Sequence, residues 1–249
     1  MSPILYAEHA GVARVTLNRP RRLNAINAHL AAQLAAALAR AVASETAEVV
    51  ILDAAGRAFC AGDDLEELAA GTIDAKGAEA FVGHLQDATR AMMFGDKPVI
   101  CSAQGWIVGG GAAWPLNADF CLVAEDAVLF CPEASHGLFP TGAASVLLPE
   151  RAGAVVANQV LWLGARLNAQ QMVAHGLAHA AVPPGRLAQE AEELARRLLA
   201  LPAVSRRRLK QARANDLRER LERALTFETR CCLDAAVDPQ VRARAAARA

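Results

Sequence analysis

A stretch of 21 residues between Lys97 and Asp119 carries no charge, and it limits what the chain can fold into. Its length matches the roughly 20 residues that a membrane-spanning helix needs. However, it contains Pro98, Pro115 and the triplet Gly109–Gly111. Three central glycines do not suit a spanning helix unless neighbours satisfy its backbone. We therefore interpret the stretch as a buried strand, a glycine turn and a buried helix, and we expect no membrane association.

The residues before this stretch alternate between strand and helix patterns. Val12–Leu17 alternates like a half-buried strand, and Glu48–Asp53 is a continuous apolar strand. Between them, aliphatic residues recur every fourth position up to Val42, after Asn27, which suits a helix N-cap. The order predicts a strand–helix–strand unit and an α/β fold.

The later residues continue this pattern and then become entirely helical. The predicted elements are a short helix opened by Asp63 and Asp64, a polar helix within 71–97, strands at Val99–Ala103, Phe120–Ala124 and Val128–Phe130, a helix from the glycine triplet to about Asn117, helices at 142–148, 153–163 and 169–175, a strand near 178–182, and helices at 186–200, 205–214 and 217–235.

The net charge of zero hides an uneven distribution. The chain has 26 basic and 26 acidic residues, but residues 195–249 hold fourteen Arg or Lys and six Asp or Glu. A solvated helical surface explains such an excess. The alternative is a basic arm that meets the acidic body, a neighbouring subunit or a polyphosphate ligand.

Composition and motifs exclude several functional classes. The hydrophobic fraction of 54% is too high for a disordered chain, and the six cysteines lack the spacing of a disulfide framework or a zinc site. The chain contains neither a dinucleotide-binding GxGxxG unit nor a GxxxxGK[ST] phosphate loop. No aromatic residues interleave the arginines, so we expect no nucleic-acid binding. The first residues do not resemble a signal peptide, and we expect a cytoplasmic protein.

Two glycine-containing loops, at 57–65 and 105–113, are candidates for anion binding. Each follows a predicted strand and precedes a helix, a place where backbone N–H groups are unpaired. A single loop of this kind is usually structural. Two N–H donors from separate loops, however, can form an oxyanion hole.

Glu133 is the third candidate, because it is the only charged residue between Ala127 and Pro149. An apolar environment raises the pKa of a carboxyl group toward neutrality, which suits proton transfer. The structural alternative is a glutamate that pairs with an arginine or caps a turn.

Four segments, in this order and at this spacing, resemble the enoyl-CoA hydratase/isomerase (crotonase) family. They are LNRPRRLNAIN (17–27), AFCAGDDLEEL (58–68), GWIVGGGAAW (105–114) and the run 118–144, within a similarity that extends from about residue 4 to about 200. The resemblance implies a crotonase-like spiral of ββα units with a C-terminal helical trimerisation region. We therefore divide the chain into a core that binds CoA and the acyl group (1–190) and a basic helical oligomerisation region (191–249).

The resemblance also implies roles for individual residues. The N–H groups of Ala61 and Gly110 would hold the thioester oxygen of an acyl-CoA, and Glu133 would carry a proton. The residues implied in CoA binding are Arg21, Arg22, Leu23, Ala25, Ala61 and Asp63. The family uses acyl-CoA as substrate, with no metal and no separate cofactor, and forms trimers or dimers of trimers.

One position departs from the family's hydratases, which carry a second glutamate three residues after the middle glycine. That position is Ala113 here, and hydration is expected to need a pair of carboxylates. An enoyl-CoA isomerase of the family needs one glutamate, which takes a proton from C2 and returns it to C4. We therefore predict an isomerase with Glu133 as the only proton carrier.

Two alternatives stay open. Asp63, His136 or Thr141 could replace the missing acid, which would permit hydration, hydrolysis or another reaction through a thioester enolate. Alternatively, the loss at Ala113 could mark a non-catalytic CoA-binding subunit.

Overall fold

A six-stranded sheet lies at the centre of the computed structural model, which describes residues 2–70 and 75–247. The strands are β1 (Ile4–His9), β2 (Val12–Leu17), β3 (Val49–Ala54), β4 (Val99–Ala103), β5 (Trp106–Val108), β6 (Phe120–Ala124), β7 (Val128–Phe130), β8 (Leu167–Asn168) and β9 (Ala180–Val182). The large sheet has the order β1-β2-β3-β4-β6-β9 and is parallel except for the β1–β2 pair. A small sheet, β5-β7-β8, lies beside it.

Helices surround both sheets and form the whole C-terminal part. They are α1 (Ala28–Ala43), α2 (Leu65–Ala70), α3 (Ala75–Phe94), α4 (Gly110–Asn117), α5 (Glu133–His136), α6 (Ala144–Leu163), α7 (Ala169–Ala174), α8 (Leu187–Leu199), α9 (Ala203–Val237) and α10 (Pro239–Ala246), with short 3-10 turns at Pro20–Arg22 and Pro184–Arg186. None of the helices in the described ranges is long and apolar enough to cross a membrane.

The large sheet is buried on both faces, which explains the continuous apolar run of β3. Val50 and Leu52 belong to the main core, together with leucines of α1 and methionines of α3. Val49 and Ile51 point to the opposite face, where α8 covers the sheet. A parallel strand covered on both sides cannot alternate between apolar and polar residues. The predicted α/β fold is confirmed.

The C-terminal helices differ from the prediction. The two helices expected at 205–214 and 217–235 are one continuous helix, α9, of 35 residues. Neither glycine nor proline interrupts the sequence between them, and Leu217, Leu221 and Leu225 continue a single buried face. Asn215 and Asp216, which lie between the two predicted helices, are part of the continuous helix.

Several short elements were not predicted. They are β1, β5, β8, α5 and α10, each of two to eight residues. Elements this short carry too few residues for a periodic pattern. The first residues of the predicted polar helix, 71–74, lie outside the described residues.

Ion pairs attach the basic helix α9 to the acidic body of the chain. Lys210 pairs with Asp119 at 2.6 Å and is buried, and Arg206 pairs with Glu48 and donates to carbonyl groups at the end of α8. Arg220 adds a more exposed pair with Glu150 at 3.0 Å. Of the predicted alternatives, a basic arm that meets an acidic body therefore describes this packing.

The glycine triplet brings the two predicted loops into contact. Cys60 and Ile107 form a parallel bridge, so the loop after β3 runs beside β5. A Cβ atom at Gly111 would lie 2.5 Å from the Cβ atom of Cys60, and Gly109 has a φ of 56°, which favours glycine. The candidate site is built where these two loops touch.

We predict that Gly111→Ala lowers the free energy of unfolding by about 1–3 kcal/mol, because the added methyl group overlaps Cys60. Gly83→Ala on α3 is the matched control, since a Cβ atom there would meet nothing within 4 Å. It should raise the stability by roughly 0.5–1 kcal/mol through helix propensity. Urea unfolding of both variants measures the difference, and equal effects would contradict this account of the packing.

Candidate active site

Glu133 lies in a short helical turn directly after β7 and is buried. Neither of its carboxyl oxygens has a hydrogen-bond partner in residues 2–70 and 75–247. Oε1 lies 3.2 Å from the point that a Cβ atom at Gly109 would occupy, so the carboxyl group reaches the glycine triplet. Burial, and to a smaller extent the negative charge of Asp63, raises the pKa of Glu133 to about 8. The group is suited to exchange a proton near neutral pH.

The structure corrects the role predicted for Ala61. Its N–H donates to the carbonyl oxygen of Leu23 at 3.0 Å, so this N–H is not available to a substrate. Gly62, with a φ of 85°, turns the chain directly after it. The prediction that Ala61 is the donor of this loop is therefore wrong, although the loop itself lies where it was predicted.

The next residue with an outward N–H is Asp63. The parallel bridge between Ile26 and Asp63 directs the Gly62 carbonyl and the Asp64 N–H toward Ile26, at 2.8 Å each. The two hydrogen bonds of this bridge use the residues on either side of Asp63, so the N–H of Asp63 itself points away from Ile26. The N–H of Asp63 therefore faces the opposite side, and it forms no hydrogen bond with any described residue.

Gly110 supplies the second unpaired N–H, because α4 begins at this residue. A Cβ atom at Gly110 would lie 3.3 Å from Oγ1 of Thr141 and 3.6 Å from Oδ1 of Asp63. Glu133 is adjacent through Gly109. The structure thus brings together four predicted residues: Gly110, Asp63, Thr141 and Glu133.

The two neighbouring aspartates have different environments. Asp64 accepts a hydrogen bond from Arg19 at 3.0 Å, whereas the carboxyl group of Asp63 has no partner in the part of the chain that the structure describes. Burial raises the pKa of Asp63 to about 6. Asp63 is therefore a second carboxyl group that can change its ionisation near neutral pH.

His136 is buried three residues after Glu133 in α5. Like Glu133, and unlike Asp63 and Thr141, it is not among the described residues that line the cleft. Its role as an auxiliary acid stays a prediction.

Ala113 packs against the main chain at Gly142. A Cβ atom at Gly142 would lie 2.5 Å from the Cβ atom of Ala113, and the Gly142 carbonyl accepts from Nδ2 of Asn117 at 2.8 Å. The space beside Ala113 is filled by main chain. The absence of the second glutamate is thus accompanied by close packing.

A cleft opens next to these groups. Its walls are mainly apolar and come from α2, α3, the loop after α5, α9 and α10. The lining residues are Ile26, Asp63, Asp64, Glu67, Leu68, Ala78, Phe81, Val82, Leu85, Leu138, Phe139, Thr141, Cys232, Ala236 and Arg242. Pockets with mainly apolar walls and a few polar groups bind small molecules with a large apolar part.

The segment with the predicted CoA-binding residues forms an ordered turn near the cleft. Arg21 and Arg22 are exposed, and Arg22 pairs with Glu66 at 2.5 Å. Leu23 has a φ of 49°, and the Ala25 carbonyl accepts from Arg19. Three hydrogen bonds of the buried Asn24 side chain, to the backbone of Arg19, Ala55 and Ala58, hold this turn against the loop after β3.

Sequence reasoning missed the contribution of the C-terminal helices to the site. Cys232 and Ala236 of α9 line the cleft, and Glu228 lies one turn earlier on the same face. Arg242 of α10 also lines it. Glu228, Cys232 and Ala236 recur every fourth residue, which predicts that they share one face of the helix. The spacing does not indicate what that face contacts.

Across the described residues, no three His, Cys, Asp or Glu side chains form a group that could hold a metal ion.

Comparisons with known proteins show which family the chain is similar to. The family model described as enoyl-CoA hydratase/isomerase matches residues 7–242. The chain is 34% identical over 217 residues to the 1,2-epoxyphenylacetyl-CoA isomerase of Escherichia coli, covering 85% of this chain and 82% of the relative. It is 36% identical over 176 residues to the probable enoyl-CoA hydratase EchA14 of Mycobacterium tuberculosis, covering 71% and 68%.

Solved structures show the same fold. An enoyl-CoA hydratase from Mycobacterium avium subsp. paratuberculosis superimposes with a TM-score of 0.90 at 27% identity, over 99% of this chain and 98% of that chain. The crotonase-like fold with its helical C-terminal part is thereby confirmed. The chain belongs to the enoyl-CoA hydratase/isomerase family.

Proposed function

We propose that the chain is an enoyl-CoA isomerase that converts 3-enoyl-CoA to 2-enoyl-CoA with Glu133 as the proton carrier. The observation that supports this most directly is the buried Glu133 carboxyl group, which has no hydrogen-bond partner beside the glycine triplet. Ala113, at the position of the second acid, carries no proton and is packed against Gly142.

In the proposed reaction, the ionised Glu133 removes a proton from C2 of the acyl group. The electron pair of the broken C–H bond passes into a dienolate, and negative charge collects on the thioester oxygen. Glu133 then returns the proton to C4, so the double bond moves from C3–C4 to C2–C3 and no other reactant is needed.

We assign the oxyanion hole to the N–H groups of Asp63 and Gly110. Both lack partners within the described part of the chain, and the two residues approach each other at the site. Donors fixed in advance at the developing charge are worth about 10²–10³ in rate each. Because the donor at Asp63 is main chain, a side-chain substitution there leaves it in place.

The cleft would take the acyl group and the segment 21–25 the nucleotide part of CoA. Phe81, Leu85 and Phe139 make an apolar acyl group the best match for the cleft walls. Arg21 and Arg22 are exposed and suited to phosphate groups, with Leu23, Ala25 and the loop of Ala61 and Asp63 alongside.

The predicted trimer or dimer of trimers, the division at residue 190 and the cytoplasmic location stay predictions. Exposed apolar side chains near the end of α6 suit a subunit contact, since Trp162 and Leu163 are 75% and 81% exposed.

A second candidate is hydration of 2-enoyl-CoA, and Asp63 is the observation that favours it. Its carboxyl group lines the cleft without a partner in the described residues and has a raised pKa. It could hold a water molecule while Glu133 exchanges the proton at C2.

Glu133→Gln should lower kcat for a 3-enoyl-CoA by about 10²–10⁴, because the amide cannot carry the proton. The exposed Glu125→Gln is the matched control and should match the wild type. Spectroscopic assay of double-bond migration measures both. Near wild-type turnover by Glu133→Gln would refute the assignment, and binding without turnover by the wild type would indicate a non-catalytic subunit.

The pH dependence follows from the raised pKa of Glu133. The active form is the carboxylate, so kcat/KM for a 3-enoyl-CoA should rise with pH and level off above about 8. Initial rates across this range test the prediction. A plateau that already begins near the ordinary pKa of a glutamate, about 4.3, would contradict it.

Asp63→Asn separates the two candidate reactions. Because the charge of Asp63 raises the pKa of Glu133, the variant should reach its kcat/KM plateau at lower pH than the wild type. Isomerisation should persist, whereas any hydration should fall by about 10². Asp87→Asn, on the exposed side of α3, controls for the loss of one charge. Parallel assays with 2-enoyl- and 3-enoyl-CoA esters distinguish these outcomes.

A further inference from the structure

No hydrogen bond to a described residue fixes the carboxyl group of Glu133, so its place depends on packing and on its main chain. The segment that carries Glu133 continues through Thr141 to the start of α6. The N-terminal side of this segment is held by the bond from the Gly109 N–H to the Phe130 carbonyl at 3.0 Å. Its C-terminal end, from Thr141 to α6, is therefore the other support that sets the place of Glu133.

Glu228 of α9 holds the C-terminal end of this segment. Oε2 accepts from the N–H of Ala143 at 3.0 Å, and Oε1 accepts from the hydroxyl group of Ser145 at 3.1 Å. Glu228 is 1% exposed. Ala143 has a φ of 61°, a conformation that non-glycine residues rarely adopt without support from their surroundings.

Glu228 stands where a negative charge stabilises a helix. Ala143 precedes α6, and the carboxylate lies at the N-terminus of that helix. Burial nevertheless raises the pKa of Glu228 to about 7, and the two hydrogen bonds oppose this shift. A buried carboxyl group is a costly way to cap a helix.

A second anchor acts one residue earlier. Asn117, at the end of α4, donates to the Gly142 carbonyl at 2.8 Å. Since α4 begins at Gly110, this bond ties the segment to the helix that supplies the oxyanion donor. Thr141, between Glu133 and these anchors, lies against Gly110.

We propose that Glu228 is a positioning residue for the reaction, which fixes the Thr141–Ser145 segment and through it the place of Glu133 beside Gly110. This inference rests on the proposed function only in that Glu133 carries the proton. It assigns the C-terminal helix α9 a part in catalysis as well as in the cleft wall.

The kinetic test compares Glu228→Ala, Glu228→Gln and Ser145→Ala with the wild type on one 3-enoyl-CoA. Glu228→Ala should lower kcat by about 10–10²-fold with little change in KM, since small displacements of a catalytic group are this costly. Glu228→Gln keeps an acceptor for Ala143 and should restore most of kcat. Ser145→Ala, which removes only the hydroxyl bond, should fall between Glu228→Ala and the wild type.

Asp119→Asn is the matched control, because Asp119 is the acceptor of another ion pair that holds α9, with Lys210. It should lower the melting temperature without changing kcat at a temperature where the variant is folded. If Glu228→Ala behaves like Asp119→Asn, with full kcat and only reduced stability, the positioning role is refuted.

A crystal structure of Glu228→Ala tests the inference even if the wild type does not isomerise 3-enoyl-CoA. Displacement of Thr141 and of the Glu133 carboxyl group from Gly110 supports the positioning role. An unchanged Glu133 position overturns it. Absence of isomerisation by the wild type would instead refute the proposed function, so the two failures are distinguishable.

Discussion

The structure of the site depends on the close approach of main chain at Gly109–Gly111. Cys60 packs where a side chain at Gly111 would stand, Glu133 reaches the position of one at Gly109, and Thr141 and Asp63 converge on Gly110. Three segments that are far apart in sequence can therefore meet around one strand-to-helix turn. The same turn leaves the first N–H of α4 unpaired, so the packing constraint and the anion-binding property have one cause.

This arrangement places three carboxyl groups where burial disfavours their charged form. Glu133, Asp63 and Glu228 all have a raised pKa, mainly because of burial. A group whose pKa rises on folding contributes stability at low pH and loses it as the pH rises through the folded-state value. These three groups therefore weaken the fold at neutral and higher pH, and the apolar core and the ion pairs along α9 offset this. Glu228 differs from the other two because both of its oxygens have partners.

Local sequence patterns predicted the core, but they could not predict contacts between elements that are distant in sequence. The apolar run of β3 and the N-cap at Asn27 identified their elements, because burial and capping leave local signals. Glu133 was found because it is a lone charge in an apolar stretch. The prediction that the Ala61 N–H binds the substrate oxygen was wrong, because this N–H donates to Leu23. That bond depends on how a turn 38 residues earlier packs. A contact of this kind leaves no trace in the spacing of either segment.

The packing of helix α9 gives a physical reason for the excess of basic residues in the C-terminal part of the sequence. Buried Lys210 and Arg206 attach its first half to acidic residues of the body. In its second half, Cys232 lines the cleft and Glu228 accepts hydrogen bonds from Ala143 and Ser145. These basic residues add stability to the packing of a helix whose other end borders the acyl cleft. On this argument the C-terminal part belongs to the active site as much as to any subunit contact.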